Sequence, residues 1–199
     1  MRPSNAVSQL QNVAVPDLVR RLARLRVPLG FLFALAVLWL AQPTGLTLLW
    51  GTLVAAAGEA LRIWAAGHLN KSREVTSSGP YRWLGHPLYA GSCVMGVGLA
   101  IAANSALVAV LIAIYLLTTI SAAIRSEEAF LRQKFGDAYD RYRRGSAAAD
   151  AGAEMRRFSL QQAMANREHR ALAGLAIAVL LLVLKATYNG SFWRMGAGH

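Results

Sequence analysis

Apolar residues gather in five runs, at 29–41, 46–66, 88–103, 106–124 and 171–186, separated by polar or Pro/Gly-containing stretches. A helix needs about 20 apolar residues to cross a hydrocarbon core, and the second and fourth runs approach that length. The others reach it with flanking residues or a locally thinned bilayer. The pattern predicts an all-α integral membrane protein with about five transmembrane helices. Between the third and fourth runs stands "AANSA", residues 102–106, too short for anything but an antiparallel return. Both ends of that helical hairpin therefore emerge on one face.

One end carries "GPYRWLGHPLYAG", residues 79–91, and the other "RSEEAFLRQKFGDAYDRYRR", residues 125–144. In the latter, Ile124, Phe130, Leu131, Phe135, Ala138, Tyr139 and Tyr142 fall near helical spacing with charges between them. This reads as an amphipathic helix continuing out of span four and interrupted near Gly136. "GSAAADAGAE" follows as a small-residue linker with little to bury. Residues 155–170, "MRRFSLQQAMANREHR", read as a basic membrane-surface helix, with Phe158, Leu160, Met164 and Ala165 for the interface. The chain thus divides into an N-terminal segment at 1–26, a four-span core at 27–144, the linker and basic segment at 145–170, and the fifth span and tail at 171–199.

Composition agrees with the pattern: 55% of the 199 residues are hydrophobic and the mean hydropathy is +0.36. A net charge of +11 would admit nucleic acid as a partner, but the basic residues follow the membrane topology instead. Five Arg precede the first span, Lys71, Arg73 and Arg82 lie between spans two and three, and ten basic residues lie between Arg125 and Arg170. The opposite loops, at 42–45 and around Asn104, carry none. The positive-inside rule then puts the N-terminus and the motif-bearing loops in the cytoplasm and the C-terminus outside. Anionic headgroups account for the remaining surplus, and no nucleic-acid partner is expected. The Arg-rich start followed by a short apolar run has the look of a signal peptide. Cleavage would invert the next span relative to the basic loops, so an uncleaved anchor is expected. The single cysteine, Cys93, lies in an apolar run, which excludes an internal disulfide and gives no zinc cluster; no metal is expected.

Ionisable residues inside apolar spans are costly and therefore candidates for function. Glu59 and Arg62 lie three apart on one face of span two, close enough to neutralise each other. They are either a self-paired couple that locks helix packing or a polar wall of a ligand pocket. Asn70 returns to their face if the helix persists, while His68 points roughly opposite. In the 79–91 motif, Gly79 and Pro80 break the chain, Pro87 suits a first helical turn, and His86 falls at the N-cap. Taken alone, such a His is a cap or an interfacial side chain, and adjacent carboxylates such as Glu127 and Glu128 are a solvated face. The hairpin brings Tyr81, His86, Glu127 and Glu128 to one membrane level. Carboxylates, an imidazole and aromatic rings around one cleft suit a zwitterionic cofactor that bears a cation and an aromatic base.

The two motifs together resemble the isoprenylcysteine carboxyl methyltransferase and phospholipid methyltransferase families, integral-membrane enzymes that use S-adenosylmethionine. The resemblance is strongest from Leu61 to Arg144: a Gly-Pro-Tyr entry, His-Pro-x-Tyr-x-Gly, a paired Glu and a later Phe-Gly-x-x-Tyr-x-x-Tyr. It implies a cofactor site formed by Tyr81, His86, Pro87, Tyr89, Gly91, Glu127 and Glu128. One departure stands out: family members commonly have Arg immediately before the His-Pro, where this chain has Gly85.

A membrane methyltransferase acting on a lipid-like or prenylcysteine-type acceptor is therefore expected, with catalysis assigned to Glu59, Arg62 and Glu128. An anionic acceptor needs little beyond in-line positioning and exclusion of water. An amine or hydroxyl must lose a proton, for which Glu59, Glu127, Glu128 and His86 are the available bases. The acceptor is expected to arrive laterally between spans, near Glu59 and Arg62. Sterol reductases share a Gly-x-Tyr-Arg and a His-Pro segment and use NADPH, but there Asn-Tyr typically follows the His-Pro, where this chain has Leu88 and Tyr89. A non-enzymatic membrane scaffold is the remaining alternative, favoured by Gly85.

Overall fold

Residues 32–70, 76, 78–135 and 157–193 are described in a computed structural model of the chain. The N-terminal segment 1–26, the 145–154 linker, and Ala138, Tyr139 and Tyr142 of the second motif lie outside those residues. The chain divides into two units, residues 1–39 and 40–199. All regular structure among the described residues is helical. Residues 32–40 form α1, followed by α2 (Gly45–His68), a 3-10 turn (Gly79–Arg82), α3 (Pro87–Ala103), α4 (Ala106–Phe135), α5 (Leu160–Ala165) and α6 (Glu168–Tyr188).

Three helices, α2, α4 and α6, are long and apolar enough to cross a membrane. The apolar helix α3 has 17 residues, about 25 Å at 1.5 Å per residue, a little under the thickness of the hydrocarbon core. The first apolar run is described as helix only over 32–40. Leu49, Leu53, Val97, Leu117, Ile177 and Leu184 are all exposed, as side chains facing lipid are. This is a membrane protein built of helices.

The helix ends explain the arrangement of unit 40–199. Thr44 and Thr47 form a reciprocal capping box that starts α2: the Thr47 amide donates to Thr44 Oγ1 at 3.3 Å and the Thr44 amide to Thr47 Oγ1 at 2.9 Å. Asn104, at φ 49° and ψ 46°, ends α3 in the left-handed region that Asn tolerates, and the chain reverses into α4 as the "AANSA" stretch predicts. That turn is pinned to the start of α2, because the Gln42 amide donates to the Ala103 carbonyl at 2.7 Å and Asn104 Nδ2 donates to the Gln42 carbonyl at 3.1 Å. Ser191, just past α6, donates to the Pro43 carbonyl at 2.7 Å. The start of α2, the α3–α4 turn and the end of α6 therefore share one end of the unit.

Small residues let α2 and α3 touch backbone to backbone. Gly51, Ala55 and Gly58 face Gly91, Gly98 and Ala102, all of them buried. A Cβ on Gly58 would lie 2.7 Å from the Gly91 carbonyl oxygen, and a Cβ on Gly91 would lie 2.7 Å from the Gly58 carbonyl oxygen. Only glycine permits that reciprocal approach, the close packing that substitutes for a hydrophobic driving force between helices in lipid.

The other end of α2 is covered by the segment that the sequence reads as a membrane-surface helix. A helix leaves its last carbonyls without internal partners. Here Asn166 Nδ2 donates to the Ala66 and Leu69 carbonyls, both at 2.8 Å, and Gln162 Nε2 donates to Leu69 at 2.9 Å. The Ser159 amide donates to the Gly67 carbonyl at 3.2 Å. Phe158 packs on the buried His68 ring, with centroids 6.1 Å apart. The expected interfacial residues Leu160 and Met164 remain exposed, while the polar side chains of the same segment dock it onto α2.

Candidate functional site

At this end of the unit the finish of α2, the 3-10 turn, the start of α3, the last turns of α4 and the start of α6 surround a cavity of about 700 Å³. Each element delivers its residues for a local reason. Gly79, at φ 58°, makes the turn into the 3-10 segment, and a Cβ there would meet the His68 ring. Tyr81 follows it onto the cavity wall. Pro87 opens α3 at a position where a missing amide costs nothing. His86 occupies the N-cap, but its side chain makes no capping hydrogen bond. Its imidazole is instead free for the cavity.

That imidazole stands between two carboxylates of α4. His86 Nδ1 lies 3.8 Å from Glu127 Oε2, and Nε2 lies 3.6 Å from Glu128 Oε1. Both approaches lie beyond hydrogen-bonding distance. Both Glu residues are available there because α4 has 30 residues, about 45 Å at 1.5 Å per residue, longer than the hydrocarbon core is thick. The helix continues past its apolar part, as the 125–135 periodicity predicts. Tyr89, in the first turn of α3, lies tilted beside His86 at 5.8 Å between centroids, and its hydroxyl interacts with Glu127.

Arg62 enters the wall from α2 and is held on several sides. Its Nη2 donates to both oxygens of Glu168, at 2.9 and 3.2 Å, and its Nη1 donates to the Ser92 hydroxyl and, at 3.5 Å, to the Leu88 carbonyl. Its Nε lies 3.4 Å from Glu59 Oε2, the ion pair that the i, i+3 spacing predicts. The geometry of that approach is not a hydrogen bond, so both Glu59 oxygens are buried with charge attraction as their compensation. A buried carboxylate of this kind depends on its neighbouring cation.

Of the candidate residues, Arg62, Tyr81, His86, Pro87, Tyr89 and Glu127 line the cavity, with Glu128 against the outer side of the imidazole. Two stand elsewhere. Glu59 lies behind Arg62, and Gly91 lies in the α2–α3 contact, with a Cβ there 2.6 Å from Arg62 Cγ. The reason is angular: Tyr89 follows His86 by three residues and shares its face, whereas Gly91 follows by five and lies about 140° around the helix. Asn70 lines the cavity although α2 stops at His68, and its amide donates to Thr76 Oγ1 at 3.4 Å. His68 is held away from the cavity, its Nδ1 donating to the Trp64 carbonyl at 3.0 Å.

Glu168 is the cavity residue that the sequence reading passes over. It lies in "NREHR", among basic residues, and its partner is 106 positions earlier. A signal existed, since a carboxylate at the entrance of an apolar run is costly unless paired. Gly85 also borders the cavity, and a Cβ added there meets nothing within 4 Å.

Comparison with known proteins meets this geometry at the same residues. The family model for phospholipid methyltransferase matches residues 40–138. A nickel-cobalt-cadmium resistance protein, NccN, of Alcaligenes xylosoxydans xylosoxydans is 34% identical over 100 residues, covering 49% of this chain and 45% of its own. Protein-S-isoprenylcysteine O-methyltransferase of Schizosaccharomyces pombe is 30% identical over 88 residues, covering 44% of this chain and 37% of its own. The chain thus spans less than half the length of these curated relatives, and no solved structure matches it. With the His-Pro motif and the paired Glu both inside the matched stretch, the chain belongs to the phospholipid methyltransferase family, which includes relatives of the isoprenylcysteine methyltransferase type.

Proposed function

We propose that this protein is an integral-membrane methyltransferase that moves a methyl group from S-adenosylmethionine to a lipid-like or prenylcysteine-type acceptor. The observation that carries the reading is the imidazole of His86 between Glu127 and Glu128 on the wall of a cavity lined by Tyr81 and Tyr89. A cavity of about 700 Å³ falls in the range that encloses a nucleoside-sized ligand. The donor set fits as well: carboxylates complement a sulfonium and accept from ribose hydroxyls, and phenol rings offer faces to a cation or a purine.

The donor would supply a methyl group already activated by a positively charged sulfur. Glu127 and Glu128 would attract that charge, Tyr81 and Tyr89 would hold the flat portions, and Pro87 fixes the start of α3 that carries Tyr89. For an acceptor carboxylate, orientation and dryness are the remaining requirements. For an amine or hydroxyl, the proton would pass to His86 or Glu128. Glu59 is too enclosed for that task, and its part is to neutralise Arg62 in the wall. We further propose five spans, with the cavity and N-terminus cytoplasmic, the C-terminus outside, and the acceptor entering laterally from the bilayer.

The test is a titration of S-adenosylmethionine into purified, detergent-solubilised protein. Saturable binding that weakens by about 10- to 100-fold in Glu128→Ala and His86→Ala, the range for loss of one charge-assisted contact, supports the reading. Absence of binding by folded protein, or unchanged affinity in both variants, contradicts it.

A further inference from the structure

We infer that Glu168 is a positioning residue of the cavity: it fixes the Arg62 guanidinium in the wall and answers its charge, so that the cavity can accept a cationic ligand. Glu168 lies beyond residues 40–138, the stretch matched by the family model. This gives α6 a part in the site as well as in the membrane. The inference rests on the methyl-transfer reading for the identity of the cation alone.

The bond is built to hold. Both oxygens of Glu168 accept from one nitrogen of Arg62, at 2.9 and 3.2 Å, and both residues border the cavity. The side chains are largely buried, with 18% of Arg62 and 10% of Glu168 exposed, which removes the water that would screen them. The backbone places Glu168 deliberately. Arg167 adopts φ 66°, a left-handed conformation uncommon outside glycine, and the next residue starts α6 facing α2. One residue earlier, Asn166 is anchored on the Ala66 and Leu69 carbonyls of α2. The helix that carries Arg62 is thus tied to the helix that carries Glu168 immediately beside the ion pair. The acid also lies in the first turn of α6, where the helix dipole favours a negative charge.

Charge decides what the arrangement is for. Around the guanidinium stand two carboxylates, Glu168 on the cavity and Glu59 behind it, so this cluster carries a formal surplus of one negative charge. Remove the charge of Glu168 and the surplus disappears, while the Arg62 Nη2 group loses its bidentate partner and is released toward the cavity. A ligand bearing a sulfonium meets a less favourable wall; one lacking it is affected far less.

The experiment compares S-adenosylmethionine with S-adenosylhomocysteine, which differs by the methyl group and the sulfonium charge. Affinities for both are measured in the full-length wild type, Glu168→Gln and Glu168→Asp, with thermal unfolding to confirm folding. Glu168→Gln is expected to weaken S-adenosylmethionine about tenfold and S-adenosylhomocysteine less than threefold, and Glu168→Asp to restore most of the difference. An equal change for the two ligands, or none, overturns the inference, because loosened packing does not distinguish a charged from an uncharged sulfur. In parallel, phenylglyoxal modification of Arg62 is followed by peptide mapping. Glu168→Gln is expected to accelerate it at least fivefold relative to Arg82; an unchanged Arg62 rate also overturns the inference. If wild-type protein binds neither ligand yet Arg62 is released in Glu168→Gln, the methyl-transfer reading falls and the positioning role stands.

Discussion

Two ionic clusters border the same cavity, and they are built in opposite ways. Around Arg62 the contacts are multiple and largely buried: both oxygens of a carboxylate from α6, a hydroxyl and a carbonyl from α3, and Glu59 on its own helix. Around His86 the carboxylates stop at 3.6 and 3.8 Å, and 40% of the Glu127 side chain is exposed. In the first cluster the Arg62 Nη groups are spent on protein, and Glu59 is held by charge attraction. In the second the two carboxylates stop short of the imidazole, which does not serve its own helix as an N-cap. A group that holds the fold must be satisfied within the fold, whereas a group that receives a ligand must leave donors and acceptors open. The proposed division is that the first cluster shapes and holds the wall, and the second meets the ligand.

The contrast is broken most severely at Arg62. Arg62→Ala would leave Glu59 and Glu168 buried without their common cation, and a loss of about 3–5 kcal/mol in unfolding free energy is expected, read as a fall in thermal stability in detergent. Were Arg62 a recognition residue alone, ligand affinity would fall with little change in stability. At His86 the reverse holds: His86→Ala should retain the unfolding temperature within a few degrees while donor affinity drops about 10- to 100-fold. A large stability loss there would merge the two clusters into one structural network. Next in size is Asn166→Ala, which removes one donor from each of the Ala66 and Leu69 carbonyls while Gln162 and the Leu69 amide remain; about 0.5–1.5 kcal/mol of stability should be lost, measured by denaturation. Smallest is Gly85→Arg. With open space around a Cβ at that position, stability should stay within about 0.5 kcal/mol of wild type, and a larger loss would mean that the wall is closed there.

The parts legible in the sequence were those governed by local spacing. Apolar run lengths gave α2, α4 and α6, and the five-residue "AANSA" gave the hairpin that brings His86 to the level of Glu127 and Glu128. The i, i+3 relation gave the Glu59–Arg62 pair. Gly91 shows where motif reading stops: a motif marks a family, but the helical angle decides which members face a ligand, and glycine in a membrane helix is also what close packing requires. The docking of residues 158–168 was illegible for a different reason. Gln162, Asn166 and Glu168 find their partners 93 to 106 positions away, and no periodicity within the segment encodes that. Its basic, amphipathic composition described a surface helix equally well, and only the unpaired carbonyls at the end of α2 distinguish the two.

The central claim is that the cavity beside His86 holds the methyl donor. It is tested most directly by ultraviolet crosslinking of methyl-labelled S-adenosylmethionine to the full-length protein, followed by peptide mapping. The account expects label on peptides containing 79–91 or 126–131, abolished by excess unlabelled S-adenosylhomocysteine. Saturable labelling confined to any other part of the chain would contradict it.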